Sequence, residues 1–423
     1  MSVVTNTTNH ENGSGDSRIA PTGGYFQGIN EGVWYGMRRG RVGLKIYRLR
    51  GCVMNTEATY RVGLIGTGRK GNGHARGYVA NPRTELVAAA DPDPSNLAIF
   101  LERFTVESYE DYHEMLRVED LDIAAPILPV KPNPGVVIDC ARAGVKAIYC
   151  EKPMAASLDE ADRMVEETSS RGIAFASGDA YRNMPQHWKV KALIDSGELG
   201  PVQSINLYQP TNEISGGGCQ GLSVLRLFAD DADVEWVTGW CAEDPWSDDD
   251  QNMGGYIRFA NGIEGYVHTK PSPRDGIEVV CEKGIYHTGW YGGHLWRGAP
   301  RGGEFVEDES FFDEFGGTDY GWVTPSGRRQ RGGIQSIVEA IDNGTEPRCS
   351  GDNMRKVLEI AIGFRESHRN EYSAVRFPIE DRSLKIVPKP GRLLNKKEVY
   401  GEEAYAEMIS GAADKPIAGA ALD

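Results

Sequence analysis

The stretch YRVGLIGTGRKG, residues 60–71, predicts a buried strand that runs directly into a G-x-G-x-x-G loop. In such a loop the first glycine permits a tight turn, the second lets the backbone approach a pyrophosphate, and the third allows a helix to pack closely on the strand. The N-terminus of that helix offers unpaired N–H groups to the phosphates. The stretch therefore predicts a dinucleotide site, with these cofactor-binding residues: Gly66, Thr67, Gly68, Arg69, Lys70 and Gly71.

The next predicted strand, Glu85–Ala90, supports the same interpretation because it ends in Asp91. A carboxylate at this place can accept hydrogen bonds from the adenosine ribose hydroxyls. It also repels a 2′-phosphate, so we expect NAD as the cofactor. Arg69 or Lys70 could still accommodate a phosphate, which leaves NADP open. The alternative for Asp91 is a surface residue in a turn before Pro92.

A second motif, Glu151-Lys152-Pro153, directly follows the apolar run Ala147–Cys150. Open α/β sheets bind their ligands at the carboxyl ends of the strands, so this motif is expected at the same edge of the sheet as the glycine loop. There the Lys152 amine could hydrogen-bond a substrate hydroxyl and take part in proton transfer. Glu151 could orient it, and Pro153 is a candidate for a cis peptide bond. The alternative is an exposed lysine in a loop.

The order of predicted elements indicates the fold class. Strands and helices alternate from Tyr60 to Ser177, which predicts a Rossmann domain with a doubly wound parallel sheet. After about Tyr181 the strand-like runs, with a hairpin signal at Asn261-Gly262, predict an α+β domain with a largely antiparallel open sheet. We predict four parts: a disordered N-terminal extension (1–58), a Rossmann dinucleotide-binding domain (59–180), an α/β substrate and oligomerisation domain (181–380) and an extended C-terminal arm (381–423).

Composition excludes several classes of protein. The 423 residues carry a net charge of −15, which argues against nucleic acid as a partner. No apolar run approaches the roughly 20 residues of a membrane span, and the N-terminus lacks the pattern of a signal peptide. The seven cysteines are scattered without zinc-ligand spacing, so we expect no metal site and a reducing, cytoplasmic location.

Together these motifs resemble the glucose–fructose oxidoreductase / inositol dehydrogenase family, Gfo/Idh/MocA, over roughly residues 60–378. The resemblance implies an NAD(P)-dependent oxidoreductase acting on a hydroxyl of a small-molecule carbohydrate or cyclitol. It implies that Lys152 is the catalytic proton-transfer residue and that the chain forms a homodimer or homotetramer. We further assign Pro129, Glu151 and Lys152 to the cofactor site. The matching segments are Val62–Gly68, Asp91, Ala143–Ala155, Leu193–Gly200 and Ile341–Ser367.

The chain departs from the family at a position that matters for catalysis. The family usually carries an Asp and a His four residues apart on a helix near the nicotinamide, and here Gly216 and Gln220 fall at those places. Gln220 can hydrogen-bond but cannot carry a proton at neutral pH. We predict Lys152 and Gln220 as catalytic residues. The predicted substrate-binding residues are Lys152, Tyr181, Arg182, His187, Gln220 and His268.

Two alternatives stay open at this point. The altered Asp/His positions suggest a lyase or glycoside-cleaving enzyme that holds NAD tightly and recycles it internally. A non-catalytic protein that binds a nucleotide or a sugar is the third possibility. Each predicted histidine, taken singly, could equally be a structural residue.

Overall fold

The computed structural model describes residues 58–178, 180–209, 212–270, 272–273, 275–289, 293–298, 303–315 and 328–414. The predicted disordered extension, residues 1–58, therefore lies outside the described residues except for Ala58. The elements of the first half are β1 (Tyr60–Ile65), α1 (Arg69–Val79), β2 (Thr84–Ala90), α2 (Pro94–Leu101), β3 (Glu107–Tyr109), α3 (Tyr112–Val118), β4 (Ile123–Pro126), α4 (Asn133–Ala143), β5 (Ala147–Cys150), α5 (Leu158–Ser169), β6 (Ala174–Ser177) and α6 (Pro185–Asp195).

The second half contains most of the antiparallel strands. Its elements are β7 (Val202–Tyr208), a π-helical segment (Ile214–Gly218), α7 (Cys219–Phe228), β8 (Val234–Cys241), β9 (Met253–Phe259), β10 (Glu264–His268), β11 (Gly276–Cys281), β12 (Gly284–Thr288), β13 (Gly293–Gly298), β14 (Phe305–Glu307), a 3-10 helix (Glu309–Phe315), α8 (Arg328–Asn343), α9 (Gly351–Arg369), β15 (Val375–Arg376), α10 (Pro390–Leu393), α11 (Lys396–Tyr400) and α12 (Glu402–Asp414).

The first sheet is parallel throughout, with the strand order β3-β2-β1-β4-β5-β6. This is the doubly wound arrangement predicted from the alternating elements. Helix α1 begins at Arg69, within the glycine loop. The chain can turn into the helix this early because Gly71 has no side chain, and a Cβ there would lie 2.0 Å from the Gly66 carbonyl oxygen.

The second sheet has the order β14-β13-β12-β11-β7-β10-β9-β8-β15, and every pair is antiparallel except β7 with β10. This confirms the prediction of a mixed, largely antiparallel sheet. The predicted Asn261-Gly262 turn joins β9 to β10, and Gly262 adopts the left-handed φ of +88° that a hairpin turn requires.

Two late helices, α8 and α9, pack against elements of the first half of the chain. Helix α8 buries Ile334, Ile337 and Val338 in the hydrophobic cluster that contains Val62 and Leu64 of β1. Another cluster runs without interruption from the Rossmann strands to Ile257 and Phe364 in the second half. Loss of a fully buried phenylalanine such as Phe364 typically costs about 3–5 kcal/mol. The two sheets therefore share one continuous hydrophobic core.

The C-terminal part differs from the extended arm that the sequence suggested. It contains the three short helices α10, α11 and α12, and the backbone N–H groups of Val130 and Lys131 donate to the carbonyls of Arg392 and Leu393. Asn395 begins α11 because its side chain accepts from the Lys397 N–H. Asparagine is a favoured N-cap, so this helix start had a local sequence signal.

We predict that Gly71→Ala destabilises the protein by about 1–3 kcal/mol, because the added Cβ forces α1 away from β1. Urea unfolding followed by circular dichroism measures the change. Gly135→Ala in α4 is the matched control, since a Cβ there meets no atom within 4 Å. The control should be neutral or more stable by up to about 1 kcal/mol. Equal stability of the two variants would contradict the prediction.

Candidate active site

A cavity of about 970 Å³ lies at the carboxyl edge of the Rossmann sheet. This volume is at the upper end of the range for small-molecule and cofactor sites. Three parts of the chain form its walls: the Rossmann loops, the region around the π-helical segment, and the C-terminal helices. Predicted cofactor residues that line it are Gly66, Gly68, Arg69, Lys70, Gly71, Asp91, Pro129, Glu151 and Lys152.

The glycine loop fits a pyrophosphate. Gly66 has a φ of +95°, and a Cβ there would lie 2.5 Å from the Ile127 carbonyl oxygen. Helix α1 directs its N-terminus at the cavity and has no acidic residue in its first turn. The side chains of Arg69 and Lys70 also line the cavity. Unpaired N–H groups, the helix dipole and two cations together favour an anionic ligand.

Asp91 is buried and lies beside the loop. Its carboxylate oxygen Oδ2 accepts from the Thr67 N–H at 2.8 Å, from the Thr67 hydroxyl at 3.0 Å and from the Asn96 amide at 3.1 Å. Its Oδ1 accepts from the Asp93 N–H at 2.9 Å. Thr67 itself does not line the cavity, so its contribution is to fix Asp91 against the loop.

Lys152 connects the two halves of the site. It follows β5, and its ammonium donates to the backbone carbonyls of Ser215 at 3.1 Å and Gly216 at 2.7 Å. The peptide bond between Lys152 and Pro153 is cis, as the sequence suggested. A protonated lysine has three N–H donors. Two of them hold the π-helical segment, which leaves one for another ligand of the cavity.

Glu151 is paired with a histidine that the sequence analysis did not select. His74 Nε2 lies 3.3 Å from Glu151 Oε1, while Glu151 Oε2 accepts from the Lys152 N–H at 3.0 Å. Burial alone acts to raise the pKa of Glu151, but the His74 hydrogen bond and the charges of Lys70 and Lys152 outweigh it and lower that pKa to about 2. Glu151 is therefore an anion that fixes the backbone of Lys152. His74 lies three residues after Gly71, a helical spacing that could have indicated it.

The predicted replacements for the family's Asp and His both line the cavity. Gly216 lies in the π-helical segment and Gln220 is in the first turn of α7. The segment is held by the buried carboxylate of Asp250, which accepts from the N–H groups of Ile214 at 2.7 Å and Ser215 at 2.8 Å. Burial raises the pKa of Asp250 even though these hydrogen bonds act to lower it.

Asp250 ends the acidic run Asp248-Asp249-Asp250, yet it is buried. Its side chain is only 4% exposed. The Asp248 carboxylate pairs with Arg365 at 3.0 Å. Over the part of the chain that the structure describes, no group of three or more His, Cys, Asp or Glu side chains could hold a metal ion.

The remaining predicted substrate-binding residues do not line the cavity. Tyr181 and Arg182 are buried and donate to the carbonyls of Thr288 and Ser223. His187 is buried beside the Tyr286 hydroxyl, and burial with the nearby Arg182 charge lowers its pKa to about 3. His268 stacks on Tyr208 with ring centroids 4.2 Å apart, and burial lowers its pKa. These four side chains stabilise the second half of the chain.

Several lining residues had no sequence signal, because they come from distant elements. Gln209 follows β7, Gln330 lies in α8, and Arg392 and Tyr405 belong to the C-terminal helices.

Within the described ranges no helix is long and apolar enough to cross a membrane.

Residues 60–179 match a family model described as an oxidoreductase family with an NAD-binding Rossmann fold, GFO_IDH_MocA. The resemblance predicted from the sequence motifs is thus confirmed for this region. Among characterised proteins, myo-inositol 2-dehydrogenase of Thermotoga maritima is 31% identical over 141 residues, which are 33% of this chain and 42% of that protein. The match thus spans about two fifths of the length of such relatives.

Solved structures resemble a larger part of the chain. The WlbA dehydrogenase of Bordetella pertussis, in complex with NADH and UDP-GlcNAcA, has a TM-score of 0.62 and 18% identity over 77% of this chain and 99% of its own. A levoglucosan dehydrogenase in complex with NADH and levoglucosan has a TM-score of 0.61 and 19% identity over 76% of this chain and 100% of its own. At 18% and 19% sequence identity, the similarity to these two structures concerns the fold alone.

We predict that Glu151→Gln destabilises the protein by roughly 3 kcal/mol at pH 7. The folded-state pKa of Glu151 lies below the ordinary value of 4.5, so the ionised carboxylate stabilises the fold above that pH. This contribution is lost as the pH falls from about 4.5 towards 2. Urea unfolding of wild type and variant at pH 7, 4 and 3 measures the difference, which should shrink at the lower pH values.

The control for this variant is Glu85→Gln, which changes an exposed glutamate of β2. Its effect should stay within about 0.5 kcal/mol at each pH. A difference between wild type and Glu151→Gln that does not change with pH would contradict the assignment of Glu151 as a partly buried anion.

Proposed function

We propose that this chain, whose residues 60–179 belong to the Gfo/Idh/MocA oxidoreductases, is an NAD-dependent enzyme that oxidises or reduces a carbon bearing a hydroxyl in a carbohydrate or cyclitol. The position of Lys152 carries the proposal. Its ammonium lies in the same cavity as the glycine loop and is fixed by two carbonyls of the second half of the chain.

The proposed chemistry divides between cofactor and protein. Bound NAD would supply the hydride acceptor, with its pyrophosphate at the N-terminus of α1 and its adenosine ribose at Asp91. Lys152 would hydrogen-bond the substrate oxygen; as the neutral amine it would take the hydroxyl proton during oxidation, and as the ammonium it would return that proton during reduction. Glu151 would position Lys152 through the backbone N–H. Gln220 would hold a neighbouring hydroxyl, since its amide both donates and accepts but carries no proton.

The amides that line the cavity support a polyhydroxylated substrate. Gln209, Gln220 and Gln330 contribute these side chains. Amides can pair with hydroxyls in either direction. Relatives named for inositol support this substrate class. A cytoplasmic location and a homodimer or homotetramer remain predictions.

A second candidate is a lyase or glycoside-cleaving enzyme that recycles tightly held NAD. Transient oxidation to a ketone acidifies the neighbouring C–H, permits elimination, and is then reversed, so that no net NADH forms. Two observations favour it over a simple dehydrogenase: Gly216 and Gln220 stand where the family's Asp and His would be, and C-terminal residues lie over the cavity.

The test is absorbance at 340 nm with added NAD and a panel of sugars, uronic acids, cyclitols and glycosides, combined with product analysis. Growth of the NADH band with one compound establishes the dehydrogenase. A flat trace with substrate consumed supports the recycling enzyme. No consumption of any compound, with demonstrable NAD binding, favours a non-catalytic binding protein.

We predict that Lys152→Ala lowers kcat about 10²–10⁴-fold, the range typical of a lost acid–base group. Affinity for NAD, measured by calorimetry, should change less than about tenfold. The matched control is Lys146→Ala, directly before the same strand, where the lysine is exposed and pairs with Asp122 at 2.7 Å. The control should keep its activity. Full activity of Lys152→Ala would refute the proton-transfer role.

A further inference from the structure

We propose that residues 389–408 form a strap that closes the dinucleotide site and slows release of the cofactor. The inference rests on the proposed cofactor site. It goes further by assigning a function to a C-terminal segment that lies outside the family match, which ends at residue 179. Strap residues that line the cavity are Gly391, Arg392, Leu394, Lys396, Tyr405 and Met408, among others.

The chain that leads to the strap is firmly attached to both halves of the molecule. Arg382 binds the Asp162 carboxylate of α5 through two hydrogen bonds of 2.7 and 2.8 Å, and it also pairs with Glu359 of α9. The Ile386 N–H donates to the Ala156 carbonyl, and Val387 accepts from the Asp250 N–H. The strap therefore starts from a fixed point beside the site.

One end of the strap lies at the predicted adenosine position. The Tyr405 hydroxyl donates to Asn96 Oδ1 at 3.0 Å, and the Asn96 amide donates to Asp91. Lys397 Nζ pairs with Asp93 Oδ2 at 2.9 Å. The same Tyr405 hydroxyl would lie 3.2 Å from a Cβ on Gly68, so it stands above the second glycine of the loop. Tyr405 is thus attached to the residues that would hold the ribose and pyrophosphate.

The other end reaches the residues around Lys152. Arg392 Nη1 lies 3.1 Å from Glu213 Oε2 and donates to the Ser215 hydroxyl at 3.1 Å. Lys389 pairs with the other Glu213 oxygen at 2.6 Å. The Ser215 carbonyl in turn accepts from the Lys152 ammonium. The strap therefore spans the cavity from the adenosine end to the proposed reacting centre.

The cavity lies beneath the strap and is not filled by it. About 970 Å³ remains between the glycine loop, Lys152 and the strap, and residues of all three line the same space. The strap adds Arg392 and Lys396 to this lining, against one carboxylate, Glu398. A dianionic pyrophosphate suits this balance of charge. The observations therefore favour a strap that closes over bound cofactor. They argue against a segment that excludes the cofactor from the site.

The first test is stopped-flow displacement of bound NADH, followed by its fluorescence, from the full-length protein. The variant Arg392→Met/Lys397→Met removes the bonds of Arg392 to Glu213 and Ser215 and the pair of Lys397 with Asp93, while the Lys389–Glu213 pair remains. We expect NADH to dissociate about five- to tenfold faster from this variant, because the variant loses two partly exposed ion pairs that hold the strap in place. The control Arg142→Met breaks an exposed pair with Glu167 and should leave the rate unchanged.

Two results would overturn the proposal. A folded double variant that releases NADH at the wild-type rate would show that the strap does not hold the cofactor. Faster association with unchanged dissociation would show that the strap blocks entry. Failure of the wild-type protein to bind NAD or NADH at all is a different outcome, because it would refute the proposed cofactor site and the strap with it.

A second measurement uses the wild-type protein and so does not depend on the folding of a variant. Trypsin can cleave after Arg392, Lys396 and Lys397 within the strap. Saturating NAD should slow cleavage at these three positions relative to an exposed site such as Arg142. Cleavage of the strap at the same rate, or faster, with NAD present would contradict closure over the cofactor.

Discussion

The site depends on the hydrogen bonds between the Lys152 ammonium and the carbonyls of Ser215 and Gly216. They join the end of a Rossmann strand to the π-helical segment of the second half, so the two walls of the cavity share one charged group. The Asp250 carboxylate holds the same segment by accepting from the backbone N–H groups of that segment. The Glu151 carboxylate fixes the Lys152 backbone by accepting from its N–H. Any movement between the two halves would therefore move the proposed catalytic amine. Lys152 is a partly buried charge with two hydrogen-bond acceptors, and the loss of either acceptor would be costly, which favours one fixed geometry.

The rest of the fold keeps those two walls together. Helices α8 and α9 come from late in the chain, yet α8 packs on the face of the Rossmann sheet and α9 shares the hydrophobic core that joins the two sheets. Arg382 adds an ion-paired connection between α5 and α9. The C-terminal helices then cover the cavity from above. Because these connections include contacts between residues far apart in the chain, such as Arg382 and Asp162 at 220 positions, the site forms only when the whole described unit from Ala58 onward is folded.

The cavity differs from the family pattern in the side chains available for proton transfer. Gln220 lines the cavity where a proton-carrying histidine would be expected from the family resemblance. His74 is present, but its ring pairs with Glu151 and packs edge-on against Tyr149, with ring centroids 5.3 Å apart. In the proposed mechanism, proton transfer is therefore assigned to Lys152. A cavity walled by three parts of the chain suits either proposed enzyme, a dehydrogenase that exchanges its cofactor slowly or an enzyme that recycles its cofactor.

Local sequence was enough to determine the Rossmann strand, the glycine loop, Asp91 and the Glu151-Lys152-Pro153 motif, because each depends on backbone geometry or on position after a strand within a few residues. The family resemblance, and no local pattern, led to the prediction of Gly216 and Gln220 near the nicotinamide, and both residues line the cavity. Local sequence could not separate Tyr181, Arg182 and His187 from true lining residues, since burial is decided by partners such as Thr288, Asp231 and Tyr286 that lie far along the chain. Only the tertiary structure decided that His74 pairs with Glu151, that Asp250 is buried, and that Tyr405 lies over Gly68. These contacts join residues from separate elements, and no local pattern specifies which surfaces of a folded chain will meet.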